Sequence, residues 1–478
     1  MNYLLDIKST FLPEIIIIAF IFIQAFLGIF LKKQFYKTSR WIAVLGILCA
    51  FCGISFLQAE PTYSAFNGSI ICNMYTVFFK GLILIASFFI VLLSFKEIKK
   101  LKMKSFTYFS ILFSGIFGAL LTTCSNDFLT AFVALEIILI STSIVLSIKK
   151  GEAAKISSIK HLTIGIIASS LFAVGVSYLY GITGSINFDA ITTSLIGYEG
   201  GLLYSISIAM IILSLLFWLG FIPFAHCENN VFECATHSNI LFLSLIPRFA
   251  AISLISRCLF LAPNHTSILS FILIMLAILS IIIGLYGLKK ENDTKKLIQY
   301  SLIVQLGFLM MPLCVINTYN IACLLYCLIC YLFMAIAICA GVMTVYNITK
   351  CNDINIYKGL AYKKPFYTTA MIFVFLAFAS LPPTCGFISK FFVLASITRL
   401  GIFYFVFLIM ALLLSVICII AYIRPIKILF ERAEDKLFLN NSSIFSKITL
   451  YVSTAIIIIL CFGSNKIIEL CELIAYSL

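Results

Sequence analysis

The sequence predicts an all-α integral membrane protein of about fourteen transmembrane helices. Of its 478 residues, 62% are hydrophobic and only 11% are charged, whereas soluble domains carry about 25% charged residues. Apolar runs near the roughly 20 residues that a helix needs to cross a bilayer recur along the whole chain. No polar stretch is long enough for a soluble domain, so residues 1–478 are expected to form a single polytopic membrane domain.

The apolar runs lie between charged or turn-rich segments, and we number them as spans 1 to 14. Their expected limits are 11–31, 41–58, 75–95, 106–123, 127–148, 160–181, 201–224, 239–261, 266–288, 297–316, 320–346, 366–396, 401–423 and 447–465. The first run has no basic flank before it and no small-residue cleavage site after it. We therefore expect it to remain as a span and not to be removed as a signal peptide.

Lysine and arginine are distributed unevenly between the two sides of the membrane. The loops that follow odd-numbered spans hold 26 of the 33 basic residues, whereas the opposite loops and the termini hold four. Loops rich in Lys and Arg stay on the cytoplasmic side, so both termini are expected on the outer, periplasmic side of a bacterial inner membrane. The net charge of +14 therefore reflects topology. No basic patch with interleaved aromatic residues remains to indicate nucleic-acid binding.

Two of the apolar runs are interrupted by proline and glycine. The stretch "FWLGFIPF" interrupts span 7, and "LPPTCGFISKFFVL" interrupts span 12. The breaks are five spans apart, which predicts two repeats of five helices, 105–261 (spans 4–8) and 266–424 (spans 9–13). Because five is odd, the second repeat should be inverted in the membrane. Inverted repeats with matching discontinuous helices are typical of transporters, and an ordinary proline kink in a helix bundle is the alternative.

Three ionisable residues stand out inside spans: Glu136 in span 5, Arg248 in span 8 and Lys390 after the break of span 12. A charge at the bilayer centre costs about 2.5–3.5 kcal/mol on insertion scales, so such residues usually serve a function. Burial favours the neutral form of a lysine, so Lys390 is expected to carry protons. Arginine stays charged, so Arg248 is expected to act as a fixed positive charge. Glu136 is either a relay member or a static partner of Arg248 or Lys390. Lys80 is expected near a span end, where its side chain can reach the interface.

Five stretches of the chain carry a resemblance to a known family. They are "LPEIIII" in span 1, "SSIKHLTIGIIASSLFAVGVSYLYGITGSINF" across span 6, "DTKKLIQYSLIVQLGFL" in span 10, "DINIYKGLAYKKPFYTTAMIFVFLAFASLPPTCGFISKFFVL" leading into span 12, and "YIRPIKILF" in span 13. In these stretches the chain resembles the antiporter-like subunits of the proton-pumping NADH–quinone oxidoreductase, respiratory complex I, and it is most similar to the N subunit. The resemblance covers nearly the whole chain. It implies fourteen helices, with two half-channels built on discontinuous helices 7 and 12.

The proton relay of that family is only partly matched. The resemblance assigns proton translocation to four residues of this chain: Glu136, Lys160, Lys390 and Tyr422. Three other relay positions are altered, since the family's helix 7 lysine, helix 8 lysine and helix 10 histidine fall on Trp218, Arg248 and Gln305. The family's loop motif after helix 7 has become "CENNVFECAT". We therefore expect a second half-channel that keeps Lys390 and a first half-channel that has lost its titratable relay.

The expected function is that of a membrane-arm subunit of NADH–quinone oxidoreductase, which couples quinone reduction to proton translocation. The resemblance implies that flavin, iron–sulfur clusters and quinone are bound by partner subunits, and that this chain contacts other membrane-arm subunits and lipid. The sequence contains no cofactor motif, and "HCENNVFECATH" lacks the spacing of a zinc site. Two alternatives stay open: a structural subunit that does not pump, and a subunit of a related sodium–proton antiporter or membrane-bound hydrogenase.

Overall fold

The protein is a bundle of membrane-spanning helices. The computed structural model describes residues 2–31, 35–57, 62–100, 104–149, 151–196, 201–221, 224, 231–260, 267–314, 317–398, 404–432 and 444–477. In these residues, thirteen helices are long and apolar enough to cross a membrane. Predicted span 12 is present as two shorter apolar helices, Pro365–Ala379 and Cys385–Thr398. The prediction of an all-helical membrane protein with about fourteen spans is confirmed.

The helices keep the numbers of the predicted spans. Spans 1 to 8 are Asn2–Phe30, Tyr36–Ile54, Met74–Lys100, Ser105–Cys124, Phe128–Ser147, Glu152–Thr183, Leu202–Leu219 and His237–Phe260. Spans 9 to 11, 13 and 14 are Ser267–Lys290, Thr294–Met310, Thr318–Thr349, Phe405–Phe430 and Ile444–Phe462. Short helical segments lie between or after them, at Phe188–Ser194, Met311–Cys314, Ile354–Tyr357, Leu360–Lys363 and Ser464–Ala475. Span 6 begins before the predicted residue 160, because its polar first turns continue the helix beyond the apolar run.

A short hairpin lies between spans 2 and 3. Strand β1 (Tyr63–Ala65) pairs antiparallel with strand β2 (Ile70–Cys72). The turn between them passes through three residues with positive φ, namely Phe66, Asn67 and Gly68. The sequence gives no signal for these strands, because three residues are too few to show an alternating pattern.

The chain divides into two compact units. The first unit contains Met1–Thr266 with Ser477–Leu478, and the second contains Ser267–Tyr476. The predicted repeat 105–261 lies inside the first unit, and all but one residue of the predicted repeat 266–424 lies inside the second. The boundary between the units therefore falls where the sequence predicts the boundary between the repeats.

Each unit contains the same polar link between the start of one span and the segment after the next span. In the first unit, Asp127 caps span 5 by accepting the backbone N–H of Thr130 at 2.6 Å, and it forms an isolated antiparallel bridge with Asn187. In the second unit, Asp293 caps span 10 and forms the same kind of bridge with Asp353. The bridged residues are sixty positions apart in both units, 127 to 187 and 293 to 353. The two units thus share the spacing of this link, and the repeat stays a prediction.

Both interrupted spans end their first half in the same way. The last helical residue is followed by a left-handed residue, Gly220 with φ 64° in span 7 and Ser380 with φ 59° in span 12. The next N–H donates back to the carbonyl five positions earlier, at 3.1 Å in span 7 and 3.0 Å in span 12. This left-handed cap ends many helices, and only Ser380 pays a steric cost for it because glycine adopts positive φ freely. Beyond the breaks, the described residues are helical at 231–234 and from Cys385 onward.

A fully buried ion pair joins span 1 to span 3 within the first unit. Lys80 Nζ lies 2.8 Å from Glu14 Oε1 and donates a hydrogen bond to the Thr10 carbonyl at 2.9 Å. Both charged side chains have 0% relative exposure. The expectation that Lys80 reaches the interface was therefore wrong, because the carboxylate and the carbonyl replace the water that the ammonium would otherwise seek.

Breaking this pair should destabilise the first unit. We expect Lys80→Met to reduce stability by about 3–5 kcal/mol, because it leaves the Glu14 carboxylate buried without a counter-charge. The double variant Glu14→Gln/Lys80→Met removes both charges and should recover most of the loss. Thermal denaturation of the protein in detergent measures the difference. A double variant that denatures as early as Lys80→Met would contradict the pairing as the source of the effect.

Candidate functional site

Lys390 lies in the interior of the second unit, on the second half-helix of span 12. The residue is 4% exposed, and its Nζ has no hydrogen-bond partner within the described part of the chain. The ammonium lies 4.3 Å from the centroid of the Phe308 ring in span 10. A ring face attracts a cation by about 2 kcal/mol or more where water is excluded. Phe308 therefore offsets part of the hydration that Lys390 loses on burial.

The carbonyl of Phe378 lies in the last turn of the first half of span 12. It accepts a hydrogen bond from Gln305 Nε2 at 2.8 Å and a weaker one from the Cys418 thiol at 3.4 Å. The last carbonyls of a helix have no partner within the helix, and an unsatisfied backbone group in lipid costs several kcal/mol. Gln305 therefore stabilises the break at the position where the resemblance implies a relay histidine.

Gly386 allows the two halves of span 12 to approach each other closely. A Cβ atom at this position would lie 1.9 Å from the carbonyl oxygen of Ala377, which is far inside any possible contact distance. The two half-helices are therefore in contact at a point that only glycine permits. Lys390 lies about one helical turn beyond this contact.

Tyr422 packs on the same break from span 13. The residue is 1% exposed, and its ring centroid lies 5.8 Å from that of Phe378 and 6.5 Å from that of Phe375. The structure thus brings Gln305 and Tyr422 to the end of the first half-helix, and it places Lys390 on the second half-helix.

Glu136 and Arg248 are the charged candidates of the first unit. Glu136 lies on span 5 with one carboxylate oxygen buried and without a hydrogen-bond partner among the described residues. Arg248 is 0% exposed on span 8 and follows Pro247. Among the described residues of this unit, no ion pair within 4 Å involves Glu136. The static Glu136–Arg248 pair that the sequence left open is therefore not observed.

Trp218 belongs to an aromatic cluster at the end of the first half of span 7. It is 4% exposed and lies edge-on to Phe217, with ring centroids 5.3 Å apart. Phe217 in turn lies 5.4 Å from the imidazole of His161 in span 6, and His161 Nε2 is 3.2 Å from the Thr142 hydroxyl. His161 is thus a buried titratable group. The resemblance to the family assigns no relay role to it. In the sequence, only its position next to Lys160 points to His161.

Lys160 differs from the other predicted relay residues because its side chain is exposed. It lies in the first turns of span 6, where the neighbouring His161 points into the unit and is 7% exposed. The structure therefore does not bring Lys160 together with Glu136, Trp218 or Arg248 in the interior, and its role in translocation stays a prediction.

The loop that departs from the family motif is described only in part. Residues 231–234 are helical, and Lys149 Nζ donates to the Cys234 carbonyl at 2.8 Å. Residues 225–230, which include His226 and Cys227, lie outside the described residues.

A helical membrane bundle with two interrupted helices, and with a buried lysine after one of the breaks, defines the class of antiporter-like membrane subunits. Residues 125–418 match the family described as NADH:quinone oxidoreductase/Mrp antiporter, TM. This match covers more than half of the chain, so the protein belongs to that family. The expectation of an antiporter-like subunit of the N type is confirmed.

Two relatives match almost from end to end. The chloroplastic NAD(P)H-quinone oxidoreductase subunit 2 of Mesostigma viride is 30% identical over 439 residues, which cover 90% of this chain and 87% of that protein. The NADH-quinone oxidoreductase subunit N of Ruthia magnifica subsp. Calyptogena magnifica is 26% identical over 467 residues, which cover 96% of this chain and 93% of that protein.

Solved structures share the fold. A chain of respiratory complex I from Thermus thermophilus matches with a TM-score of 0.80 at 20% identity, covering 96% of this chain and 98% of that chain. A chain of the Mrp complex from Dietzia sp. DQ12-45-1b matches with a TM-score of 0.82 at 12% identity, covering 99% and 97% respectively. At these identities the likeness shows the fold alone.

Proposed function

We propose that this chain is a membrane-arm subunit of NADH–quinone oxidoreductase that translocates protons through its second unit. The observation that carries the proposal is the surroundings of Lys390, which is buried, lies next to a helix break and contacts a ring face. Lys80 provides the contrast within the same chain, because Glu14 holds its ammonium in a closed ion pair. Lys390 has no carboxylate partner among the described residues, so a proton can leave it without stranding a buried anion.

The residues have different roles in this proposal. Lys390 takes up a proton as the neutral amine and releases it as the ammonium, and Glu136 and Tyr422 are further members of the relay. Arg248 keeps its proton and acts through its field. Moving a unit charge against about 100 mV costs about 2.3 kcal/mol. That energy comes from partner subunits, which in this proposal also hold the flavin, the iron–sulfur clusters and the quinone.

The first half-channel is impaired in this proposal. The Trp218 indole does not titrate, and it occupies buried space in a cluster of rings. Arg248 cannot hand on its own proton. Glu136 and His161 remain as titratable groups, without the helix 7 and helix 8 lysines that the resemblance implies at the positions of Trp218 and Arg248.

A structural subunit that does not pump is the second candidate function. Gln305 favours it most directly, since its side chain is engaged with the Phe378 carbonyl and has no titratable group. The fold shared with a chain of the Mrp complex favours a sodium–proton antiporter subunit as a third possibility.

Replacement of Lys390 by methionine separates a pumping subunit from a structural one. We expect Lys390→Met to lower the number of protons pumped per electron by the whole share of this chain, because no other described group replaces the ammonium in span 12. The measurement is proton uptake per electron in membrane vesicles with matched amounts of assembled complex. Lys427→Met, which changes an exposed lysine of the same unit, is the control. Unchanged pumping in Lys390→Met would show that the subunit is a scaffold.

Restoring a lysine in span 7 tests whether the first half-channel is impaired. We expect Trp218→Lys to increase the number of protons pumped per electron, because it supplies a titratable group and opens space for water in the aromatic cluster. Trp218→Leu opens space without adding a charge and should give no increase. The same vesicle assay applies. Wild-type pumping equal to that of a relative with two intact half-channels, and no increase in Trp218→Lys, would count against the impairment.

The Phe308 ring should support Lys390 through its π face and not through its volume. We expect Phe308→Trp and Phe308→Tyr to keep pumping, and Phe308→Leu to lose most of it, because the attraction of a ring for a cation follows the order Trp, Tyr, Phe. If Phe308 only fills space, Phe308→Trp should reduce pumping more than Phe308→Leu, since the larger side chain would disturb a tight interior more. Protons per electron distinguish the two roles, with Phe407→Leu as the control, because Phe407 is a buried phenylalanine of the same unit outside the proposed relay.

A further inference from the structure

Two cationic side chains share one aromatic ring where spans 2 and 3 meet in the first unit. The ring centroid of Tyr36 lies 5.6 Å from the guanidinium carbon of Arg40 and 5.6 Å from the Nζ of Lys99. Arg40 also lies 4.4 Å from the ring centroid of Phe95. A ring face attracts a cation but carries no net charge, so the two positive charges stay uncompensated and repel each other. An anion bound between them would remove that repulsion.

No acidic side chain balances these charges within spans 2 and 3. The only acidic residue of the two spans is Glu97, and its carboxylate is directed at the start of span 8. It accepts the backbone N–H groups of His237 and Ser238 at 3.0 and 3.1 Å. Among the described residues, no ion pair within 4 Å involves Arg40 or Lys99, and the buried Nε of Arg40 has no hydrogen-bond partner. Both cations are therefore available to an anion from outside the chain.

The start of span 2 adds to the positive potential. Its first turns contain the exposed Lys37, no acidic residue lies there, and no side chain caps the helix. The first N–H groups of a helix have no partner within it and form the positive end of its dipole. The distribution of Lys and Arg in the sequence predicts that this end of spans 2 and 3 is cytoplasmic. We call Lys37, Arg40 and Lys99 the cationic site, which is thus expected at the depth of the cytoplasmic lipid headgroups.

An apolar groove lies between the same two spans, further into the membrane. Its volume is about 170 Å³, and the described residues that line it are all apolar: Ile47, Leu48, Phe51, Leu84, Ile85 and Phe88. Ile47 is seven residues beyond Arg40, which is about 10 Å along a helix. Leu48 and Phe51 are 45% and 46% exposed, so the groove opens to the bilayer. A free phosphate ion cannot fill an apolar groove, whereas an acyl chain attached below a bound phosphate can.

We propose that the cationic site and the groove together bind one anionic phospholipid. Arg40 and Lys99 hold the phosphate, since a guanidinium offers paired N–H groups that match two phosphate oxygens. An acyl chain of the same lipid occupies the groove. Basic pockets between transmembrane helices on the cytoplasmic side are typical sites for such headgroups. None of these residues belongs to the proposed relay, so the inference stands apart from proton translocation.

Photo-crosslinking in the assembled complex tests both parts of the site at once. Membranes are loaded with a small amount of a phosphatidylglycerol that carries a diazirine midway along one acyl chain, and crosslinked peptides are quantified by mass spectrometry. We expect crosslinks in residues 47–51 and 84–88. Arg40→Gln and Lys99→Gln should each lower the crosslink yield about five-fold, because a basic residue near anionic lipid contributes about 1 kcal/mol. A change at the cationic site is thus measured in the groove.

Matched variants separate this site from general effects of charge and packing. Lys155→Gln removes an exposed lysine at the predicted cytoplasmic end of span 6, and it should leave the crosslink yield unchanged. The double variant Arg40→Lys/Lys99→Arg keeps both charges and should keep the crosslinks. Leu48→Trp fills the groove and should lower the yield on span 3, whereas Leu45→Trp, on the same helix but outside the groove, should not.

Five results would overturn the proposal. The first is an equal yield in wild type and in Arg40→Gln/Lys99→Gln. The second is a loss of the same size in the variant that keeps both charges, which would assign the effect to packing. The third is an equal yield with a diazirine phosphatidylcholine, and the fourth is displacement of the probe by millimolar inorganic phosphate. The fifth is the absence of lipid crosslinks in both ranges, which would show that another subunit covers the groove.

Discussion

Lipid cannot hydrate the backbone groups that a broken helix exposes, and much of the second unit is arranged to satisfy those groups. The break in span 12 leaves carbonyls at the end of its first half, and Gln305 and Cys418 donate to one of them from spans 10 and 13. These two spans also bring Phe308 and Tyr422 into the same interior. Spans 10 and 13 therefore contribute both to the satisfied break and to the surroundings of Lys390.

The two buried lysines show how a partner determines what a buried charge can do. Lys80 has a carboxylate at 2.8 Å and a carbonyl at 2.9 Å. These directional contacts hold its ammonium in one position and favour its charged form. Lys390 has the face of Phe308, which attracts the cation but offers no lone pair to hold one orientation. Close pairing suits a residue that holds helices together. The less directional contact of Lys390 is what the proposed relay role requires.

The number of spans, the places of the breaks and the burial of Lys390 could be predicted because they depend on local features of the sequence. Apolar length, proline and glycine report on a helix without reference to its neighbours. The pairing of Glu14 with Lys80 could not be predicted, since it depends on which helices pack together. For the same reason the sequence could not tell that Lys160 faces outward while His161 faces inward. The role of Gln305 depends on a carbonyl 73 residues away, and no local pattern indicates such a bond.

The contact between Gly386 and the Ala377 carbonyl limits how span 12 can move. Because the two half-helices touch at a point without a side chain, they cannot move closer together, and the bonds from Gln305 and Cys418 to the Phe378 carbonyl hold the first half-helix to spans 10 and 13. The part of span 12 that is free to move is then the four-methylene side chain of Lys390. Exposed side chains change rotamer within about picoseconds to nanoseconds, whereas helices shift within about microseconds to milliseconds. Enzymes turn over about 1–1000 times per second. If Lys390 translocates protons as proposed, it can therefore work by the motion of its side chain alone, without a shift of the helix that carries it.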